Sequence, residues 1–232
     1  MLLQPLAADA NPEAQFELGE LYRQGLGVPE SETNAVTWYQ KSAAKGNASA
    51  QFMLGAMNEF GIGMSVNDID ALKWYRLAAE SGHAASQQAL GDYYAVGLPS
   101  LPRDSSEAVK WYLKAAEQGN RDAQISLGQV YSSGDGALQD FVEAGKWYRL
   151  AATQGSLEAQ RELGRRNKFG ISIPINLVRA FMWYSLAADD GDQVSQTERD
   201  NLKGLLNPTE LSEAERAVRE WKLLHKDLVA QD

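Results

Sequence analysis

One short phrase occurs five times along this chain at nearly constant spacing, and it constrains the fold more than any other feature. The phrase begins with a Trp-Tyr pair and ends at a glycine, as in WYRLAAESG. Self-similarity with a period of 20–50 residues indicates a repeat architecture, in which each unit buries its apolar face against its neighbours. The pairs begin at Trp38, Trp74, Trp111, Trp147 and Trp183, which gives spacings of 36, 37, 36 and 36 residues.

Each repeat shows helical periodicity in both of its halves. In the second half, apolar or small residues recur at i, i+3, i+4 and i+8, as at Ala35, Trp38, Tyr39 and Ala43, which is the period of an amphipathic helix. Gly25 and Gly46 follow the last periodic positions of the two halves, where a helix often ends on a residue with positive φ. Each repeat is therefore predicted to be a helix, a glycine turn and a second helix.

A glycine also lies inside each predicted first helix, as at Gly19. An interior glycine costs about 1 kcal/mol relative to alanine. We expect close approach of the paired second helix to require it, because the Trp and Tyr of that helix need room. On the same argument, the five repeat tryptophans are expected to be largely buried.

The two half-patterns together closely resemble the Sel1-like repeat family, which is related to tetratricopeptide repeats. They read A-Q-x-x-L-G-x-x-Y-x-x-G-x-G and A-x-x-W-Y-x-x-A-A-x-x-G, and the resemblance covers roughly residues 11–191. Asn58 and Asn167 depart from it by replacing the tyrosine of the first helix. The resemblance implies an all-α fold, a right-handed α/α superhelical solenoid of stacked helix-turn-helix repeats with a C-terminal capping helix.

The register of the repeats also predicts the domain organisation. Residues 1–10 have the spacing of a second helix, and we interpret them as the remnant of a preceding repeat or as an N-terminal cap. Asn207 and Pro208 are typical of a helix start, and the apolar stripe from Leu211 to Leu228 predicts a helix that covers the last repeat. The predicted boundaries are 11–46 for repeat 1, 47–82 for repeat 2, 83–119 for repeat 3, 120–155 for repeat 4, 156–191 for repeat 5, and 192–232 for a degenerate half-repeat with the capping helix.

Composition and charge exclude several classes of function. The net charge of −9 argues against a general nucleic-acid binder, which needs a basic face. The chain has no cysteine, so disulfides and thiolate zinc sites are excluded, and it has no apolar run long enough for a transmembrane segment. The N-terminus lacks the features of a secretory signal. The compartment therefore stays open between the cytoplasm and, if a signal peptide was removed, the periplasm or cell envelope.

No motif in the sequence predicts catalysis, a metal site or a cofactor. His83 and His225 have no partners at a recognised spacing and are interpreted as structural. The acidic run at Asp189, Asp190 and Asp192 lacks the alternating ligands and distant glutamate of a calcium loop, and is predicted to be a solvated helix end. We therefore predict a chain that is not an enzyme.

The surface of the helix stack is the remaining candidate for function, and we expect it to bind another protein or peptide. In tetratricopeptide-like stacks the first helices line a concave groove, and the resemblance implies that this groove begins acidic with aromatic anchors and ends basic. The alternative for the two anchors is that they pack between neighbouring first helices; the convex face and the loop Pro99–Arg103 are alternative surfaces. The predicted partner-binding residues are Phe16, Glu20, Arg23, Phe52, Glu59, Gln88, Asp92, Ile125, Gln129, Arg161, Arg165 and Lys168.

The function that this pattern favours is a non-enzymatic protein-interaction module or scaffold. One alternative is an inhibitor or immunity-type protein that blocks a specific enzyme or effector through the same groove. Another is a hydrolase with a site assembled from separate repeats. A homo-oligomer is compatible with the sequence, although nothing indicates one.

Overall fold

A computed structural model describes residues 11–225 of the chain, and within that range the fold is all-α. The predicted remnant helix in residues 1–10 and the end of the apolar stripe at Leu228 lie outside the described residues. The described helices are α1 (Pro12–Gln24), α2 (Glu32–Ala43), α3 (Ala48–Phe60), α4 (Asp68–Glu80), α5 (Ala84–Val96), α6 (Ser105–Glu117), α7 (Arg121–Ser133), α8 (Phe141–Thr153), α9 (Leu157–Phe169), α10 (Leu177–Asp189), α11 (Gln193–Leu205) and α12 (Pro208–Leu224).

The helices form two compact units, Met1–Asn120 and Arg121–Asp232. In the first unit, α1 packs on α2, α3 on α4 and α5 on α6, while α2 contacts α3 and α4 contacts α5. In the second unit, α7 pairs with α8 and α9 with α10, and both α11 and α12 pack against α10. Each unit is therefore a stack of helix pairs, as the repeat predicted.

The turn chemistry repeats with the sequence. Gly25, Gly61 and Gly170 end first helices in the left-handed region, with φ values of 68°, 69° and 69°. This confirms the predicted glycine turns, because only glycine adopts that conformation without strain. Side-chain N-caps begin the helices on the other side of each turn, as Ser31 does for α2 and Asn67 for α4.

The glycine inside each first helix lies directly under a tyrosine of the paired second helix. A Cβ added to Gly19 would lie 2.6 Å from Cε1 of Tyr39, and one added to Gly91 would lie 2.4 Å from Cε1 of Tyr112. Both distances are far below van der Waals contact, so these two positions exclude any side chain. The predicted close approach of the paired helices is therefore confirmed for the tyrosine.

All five repeat tryptophans are more covered than exposed, as expected, but they differ in how completely they are covered. Trp183 is 8% exposed, whereas the other four are half-buried. Four of the tryptophans are less buried than the tyrosines because the two side chains point in different directions. The tyrosine points at the first helix, and the tryptophan one position earlier lies about 100° round the second helix. Lys41 covers part of the Trp38 ring instead, with Nζ 3.8 Å from the ring centre.

The predicted terminal helix is present and covers the last tryptophan. Asn207 and Glu210 form the capping box that starts α12. The Trp221 ring packs edge-on against Trp183, with 6.3 Å between ring centres, and Ala214 is fully buried. Trp183 is thus buried because α12 supplies the surface that it needs.

The proline-containing loop of the third repeat is exposed, as predicted. Pro99, Pro102 and Arg103 are all exposed. Leu98 and Leu101 exchange two backbone hydrogen bonds across the tip, with N–O distances of 2.7 and 3.0 Å. The extra residue of this repeat is therefore taken up in a tight surface turn.

Candidate protein-binding site

The predicted partner-binding residues of the first unit lie on its first helices and are half-buried or exposed. Phe16 also packs against the apolar cluster formed by α2 and α3, and the Phe52 ring lies 5.0 Å from the His83 ring at the start of α5. These contacts join the three first helices into one surface, which we call the first-helix face. Its residues are Phe16, Glu20, Arg23, Phe52, Glu59, Gln88 and Asp92.

In the first repeat, one tyrosine holds both an aromatic ring and a carboxylate of this face. The Phe16 and Tyr39 rings lie 5.7 Å apart, and the Tyr39 hydroxyl donates a hydrogen bond to the Glu20 carboxylate. Arg23 Nη2 donates to the same carboxylate at 2.7 Å. Burial acts to raise the pKa of Glu20, but the hydrogen bonds from Arg23, Tyr39 and Gln24 outweigh it and leave that pKa below its ordinary value.

The second repeat has the same arrangement with the acid one turn further along. The Phe52 and Tyr75 rings lie 5.7 Å apart, and the Tyr75 hydroxyl donates to Glu59 Oε2 at 2.6 Å. Burial and the neighbouring Glu59 raise the pKa of Tyr75 above its ordinary value, so the hydroxyl keeps its proton and remains a donor. Tyr93 of α5 also lies near this tyrosine, with 5.9 Å between the Tyr93 and Tyr75 ring centres.

His83 is the N-cap of α5, which supports its interpretation as a structural residue. Its Nδ1 accepts a hydrogen bond from the Ser86 backbone N–H at 3.3 Å. Burial lowers the pKa of His83, so the imidazole beside Phe52 is neutral at pH 7. It therefore adds no positive charge to the first-helix face.

The third repeat keeps the carboxylate and loses the aromatic ring. Tyr112 donates to Asp92 Oδ1 at 2.8 Å. Gln88 stands at the position of Phe16 and Phe52, and its Nε2 donates to Asp92 Oδ1 at 2.9 Å. The tyrosine–carboxylate hydrogen bond is therefore present in all three repeats of the first unit.

In the second unit, the predicted basic residues of α9 are already paired with carboxylates. Two of the three partners lie on α11 or at its N-cap, one repeat further along the chain, and the third lies on α9 itself. An incoming acidic group would compete with these intramolecular pairs. The ion pairs are Arg161 with Asp192 at 2.7 Å, Arg165 with Glu162 at 2.7 Å and Lys168 with Glu198 at 2.5 Å.

The two remaining predicted residues lie on α7. Ile125 is half-buried and packs against the apolar cluster of the second unit. Gln129 is exposed, and its Nε2 donates to Glu158 Oε1 at 2.7 Å. This part of the predicted surface therefore contributes one apolar and one polar side chain and no charge.

The acidic run after α10 is built into ion pairs and a helix cap. Asp189 pairs with Lys222 at 2.7 Å and with Arg199 at 3.3 Å, and Asp192 accepts from the Ser195 N–H at 2.8 Å. Across residues 11–225, no group of three His, Cys, Asp or Glu residues is placed to hold a metal ion. None of the helices described there is long and apolar enough to cross a membrane.

Arg166, a residue that sequence reasoning did not single out, is 2% exposed. Its Nη2 donates to the Phe141 carbonyl oxygen and, at 3.2 Å, to Ser172 Oγ. A Cβ on Gly145 would lie 3.3 Å from the same nitrogen, so the guanidinium occupies the room that this glycine leaves. Burial lowers the pKa of Arg166.

Three departures from the repeat pattern meet at this arginine. Arg166 replaces an apolar or aromatic residue, Gly145 replaces a large one, and Ser172, with φ of 58°, replaces a glycine. Each departure was visible in the aligned repeats, but only the structure brings them together. The equivalent residues are Leu21, Met57, Tyr93 and Val130 for Arg166, Val36, Leu72, Val109 and Phe181 for Gly145, and Gly27, Gly63 and Gly136 for Ser172.

The tyrosine–carboxylate hydrogen bonds were also missed from the sequence. The WY tyrosine recurs in every repeat, which indicated only a core position. An acid does follow the interior glycine at Glu20 and Asp92, but in the second repeat it stands three residues later, at Glu59. The varying position hid a contact that the packing of each helix pair makes regular.

Comparison with known proteins gives the same repeat. No curated protein matches this sequence significantly. Among solved structures, the crystal structure of a Sel1 repeat protein from Oxalobacter formigenes is 34% identical, with 90% of this chain and 86% of that chain covered and a TM-score of 0.77. Five consecutive segments match the Sel1 repeat, at residues 12–47, 48–83, 84–120, 121–156 and 157–192.

Two further solved structures are similar over most of this chain. A protective antigen present in uropathogenic Escherichia coli strains is 26% identical, with 95% of this chain and 55% of that chain covered and a TM-score of 0.61. An immunity protein from Pseudomonas aeruginosa is 17% identical, with 95% and 83% covered and a TM-score of 0.51. At that identity the second likeness shows the fold alone.

Proposed function

Because this chain belongs to the Sel1 repeat family, whose repeats mediate protein interactions, we propose that it is a non-enzymatic protein-binding module whose partner docks on the first-helix face. One observation carries the proposal. Phe16 and Phe52 occupy equivalent positions in successive repeats, and each is half-buried, with its ring packed on a tyrosine. A partner therefore meets two aromatic anchors one repeat apart.

The packing beneath the anchors favours binding. A side chain that is already immobilised loses little entropy when a partner covers it. Aromatic residues at the centre of an interface commonly contribute much of the binding energy. Phe16 and Phe52 are therefore the residues that we expect to control the dissociation rate.

The charged and polar residues of the face surround these anchors. Glu20, Arg23, Glu59, Gln88 and Asp92 would orient the partner and set the association rate, as charges at the rim of an interface do. In the second unit, the predicted contact residues are Ile125, Gln129, Arg161, Arg165 and Lys168. There the cations would have to exchange their intramolecular partners for those of the bound protein.

The test compares an anchor with an exposed phenylalanine elsewhere. The tagged chain captures its partner from the native host, and surface-immobilised binding then measures the kinetics. We expect Phe52→Ala to speed dissociation by about 30-fold, corresponding to the loss of about 2 kcal/mol at a hot spot. Phe141, which is 38% exposed at the start of the second helix α8, is the control, and Phe141→Ala should leave the rate nearly unchanged.

Two results decide the outcome. If Phe52→Ala retains its helical circular dichroism and releases the partner no faster than the unsubstituted chain, the first-helix face is not the docking surface. If the binding is confirmed, the captured partner decides what kind of module this is. A single stoichiometric enzyme would indicate an inhibitor, and several unrelated proteins would indicate a scaffold.

A further inference from the structure

The charges of the first unit are distributed unevenly between its first and second helices. The first helices α1, α3 and α5 together carry five acidic residues and one basic residue, whereas α2, α4 and α6 carry six acidic and five basic. The one basic residue, Arg23, is bound to Glu20 at 2.7 Å. The net charge is therefore −4 on the three first helices and −1 on the three second helices. The acidic residues of the first helices are Glu13, Glu17, Glu20, Glu59 and Asp92.

Three of these carboxylates are held in place by tyrosine hydroxyls from the second helices. Tyr39 donates to Glu20, Tyr75 to Glu59 and Tyr112 to Asp92. An ionised carboxylate has about four lone-pair sites, so the tyrosine leaves room for further donors at Glu59. Glu20 also accepts from Arg23 and Gln24, and Asp92 from Gln88, so a partner's cation would compete with those side chains there. The three groups therefore form a fixed set of acceptors, one in each repeat.

Aromatic rings lie beside the first two carboxylates. The same tyrosine contacts both the ring and the acid, through Phe16 and Glu20 in the first repeat and through Phe52 and Glu59 in the second. The aliphatic stem of Lys or Arg packs on apolar surface while its charged end binds an acid, and the cation is also attracted to aromatic faces. An aromatic ring next to a carboxylate therefore matches both parts of a lysine or arginine side chain, its aliphatic stem and its charged end.

Resting on the proposed function, we propose that the segment docked on the first-helix face is basic, a stretch of a partner protein in which Arg or Lys side chains alternate with apolar ones. The apolar side chains would cover Phe16 and Phe52, and the cations would bind Glu20, Glu59 and Asp92. An acidic segment would be repelled by this face. The neutral imidazole of His83 beside Phe52 places no cation there to attract one.

The test uses two short synthetic peptides of equal length with the same leucine positions. One carries arginine at every polar position and the other carries glutamate. Fluorescence anisotropy measures binding of each to the full chain, to the face variant Glu20→Gln/Glu59→Gln/Asp92→Asn, and to the control variant Glu80→Gln/Glu117→Gln/Glu213→Gln. The control removes the same number of charges at exposed positions outside the face.

The arginine peptide should bind the unsubstituted chain. The face variant should weaken that binding by about tenfold, the combined effect of three modest surface ion pairs, and the control variant by no more than about twofold, as screened long-range attraction alone predicts. Equal weakening by both variants would show general attraction to an acidic protein and would overturn the inference. Binding of the glutamate peptide as tightly as the arginine peptide would also overturn it.

Adding Phe52→Ala to the series separates this inference from the proposed function. If the glutamate peptide binds and the binding depends on Phe52, the face is a docking surface and only the charge of its partner is wrong. If neither peptide responds to Phe52→Ala, the first-helix face loses its support as a docking surface as well. Amide replacements keep the size of each acid and an oxygen that accepts from tyrosine, and circular dichroism checks that the variants are folded.

Discussion

At the scale of single residues, the WY tyrosine has two separate tasks. Its ring fills the space over the first-helix glycine, and in the first unit its hydroxyl orients a carboxylate on the outer face. Tyr39 is fully buried by area, yet it fixes the position of a surface acid. The core of each helix pair and its binding surface are therefore linked through one side chain.

A pair of glycine substitutions tests the packing half of this arrangement. Gly91→Ala places a methyl group 2.4 Å from Tyr112, so we expect a loss of about 1–3 kcal/mol in the free energy of unfolding through overpacking. Gly204, a helical glycine with nothing within 4 Å of its Cβ position, is the matched control, and Gly204→Ala should gain up to about 1 kcal/mol. Urea denaturation midpoints measure both. Equal shifts of the same sign would contradict the interlocking of Gly91 with Tyr112.

The residues that the sequence predicted correctly are those governed by local geometry. A positive φ at Gly25 and a capping box at Asn207 each depend on a few adjacent residues. The glycine position also recurs in every repeat, which makes it easier to recognise. Which of Trp38 and Tyr39 is more buried depends on how far their own helix, α2, is rotated about its axis relative to α1. That rotation places the tyrosine inward and leaves Trp38 half-buried, and periodicity alone does not resolve two adjacent positions.

At the scale of helices, α9 differs most from its counterparts. Its basic character was predictable, but two of its three ion pairs were not, because the partners Asp192 and Glu198 lie 31 and 30 residues further along the chain. Nor was the burial of Arg166 against α8, since arginine normally remains exposed. Both depend on which helices become neighbours.

A double-mutant cycle tests whether Gly145 and Arg166 act together. Gly145→Val alone should lower the free energy of unfolding by about 1–3 kcal/mol, because its methyl groups collide with the guanidinium. With Arg166→Met also present the collision is removed, and the double variant should be more stable than the sum of the single effects by about 0.5–3 kcal/mol. Denaturation of all four proteins measures the coupling. Additive effects would mean that the glycine and the arginine are independent.

At the scale of the molecule, the last repeat depends on a helix that is not part of any repeat. In the second unit, α12 lies against α10 and buries Trp183 beneath Trp221. The end of a repeat stack exposes apolar surface unless a terminal element covers it. The amphipathic stripe made this helix predictable, whereas its effect on Trp183 was apparent only from the packing.

Deleting residues 207–232 should therefore expose the apolar face of α10 and cause self-association. A variant that ends at His225 and retains all of α12 is the control and should behave as the full chain does. Sedimentation velocity distinguishes the two. A stable, soluble monomer of residues 1–206 would mean that α12 does not protect the repeat stack.

The contact of Arg166 in the fifth repeat with Gly145 in the fourth restricts how such a chain can change by duplication or exchange of its repeats. Placed after any repeat other than the fourth, the fifth would bring Arg166 against a valine, leucine or phenylalanine in place of Gly145, with the collision described for Gly145→Val. The fifth repeat can therefore be inherited or transplanted only together with the second helix of the fourth. The boundary of the exchangeable module does not coincide with the boundary of the sequence repeat.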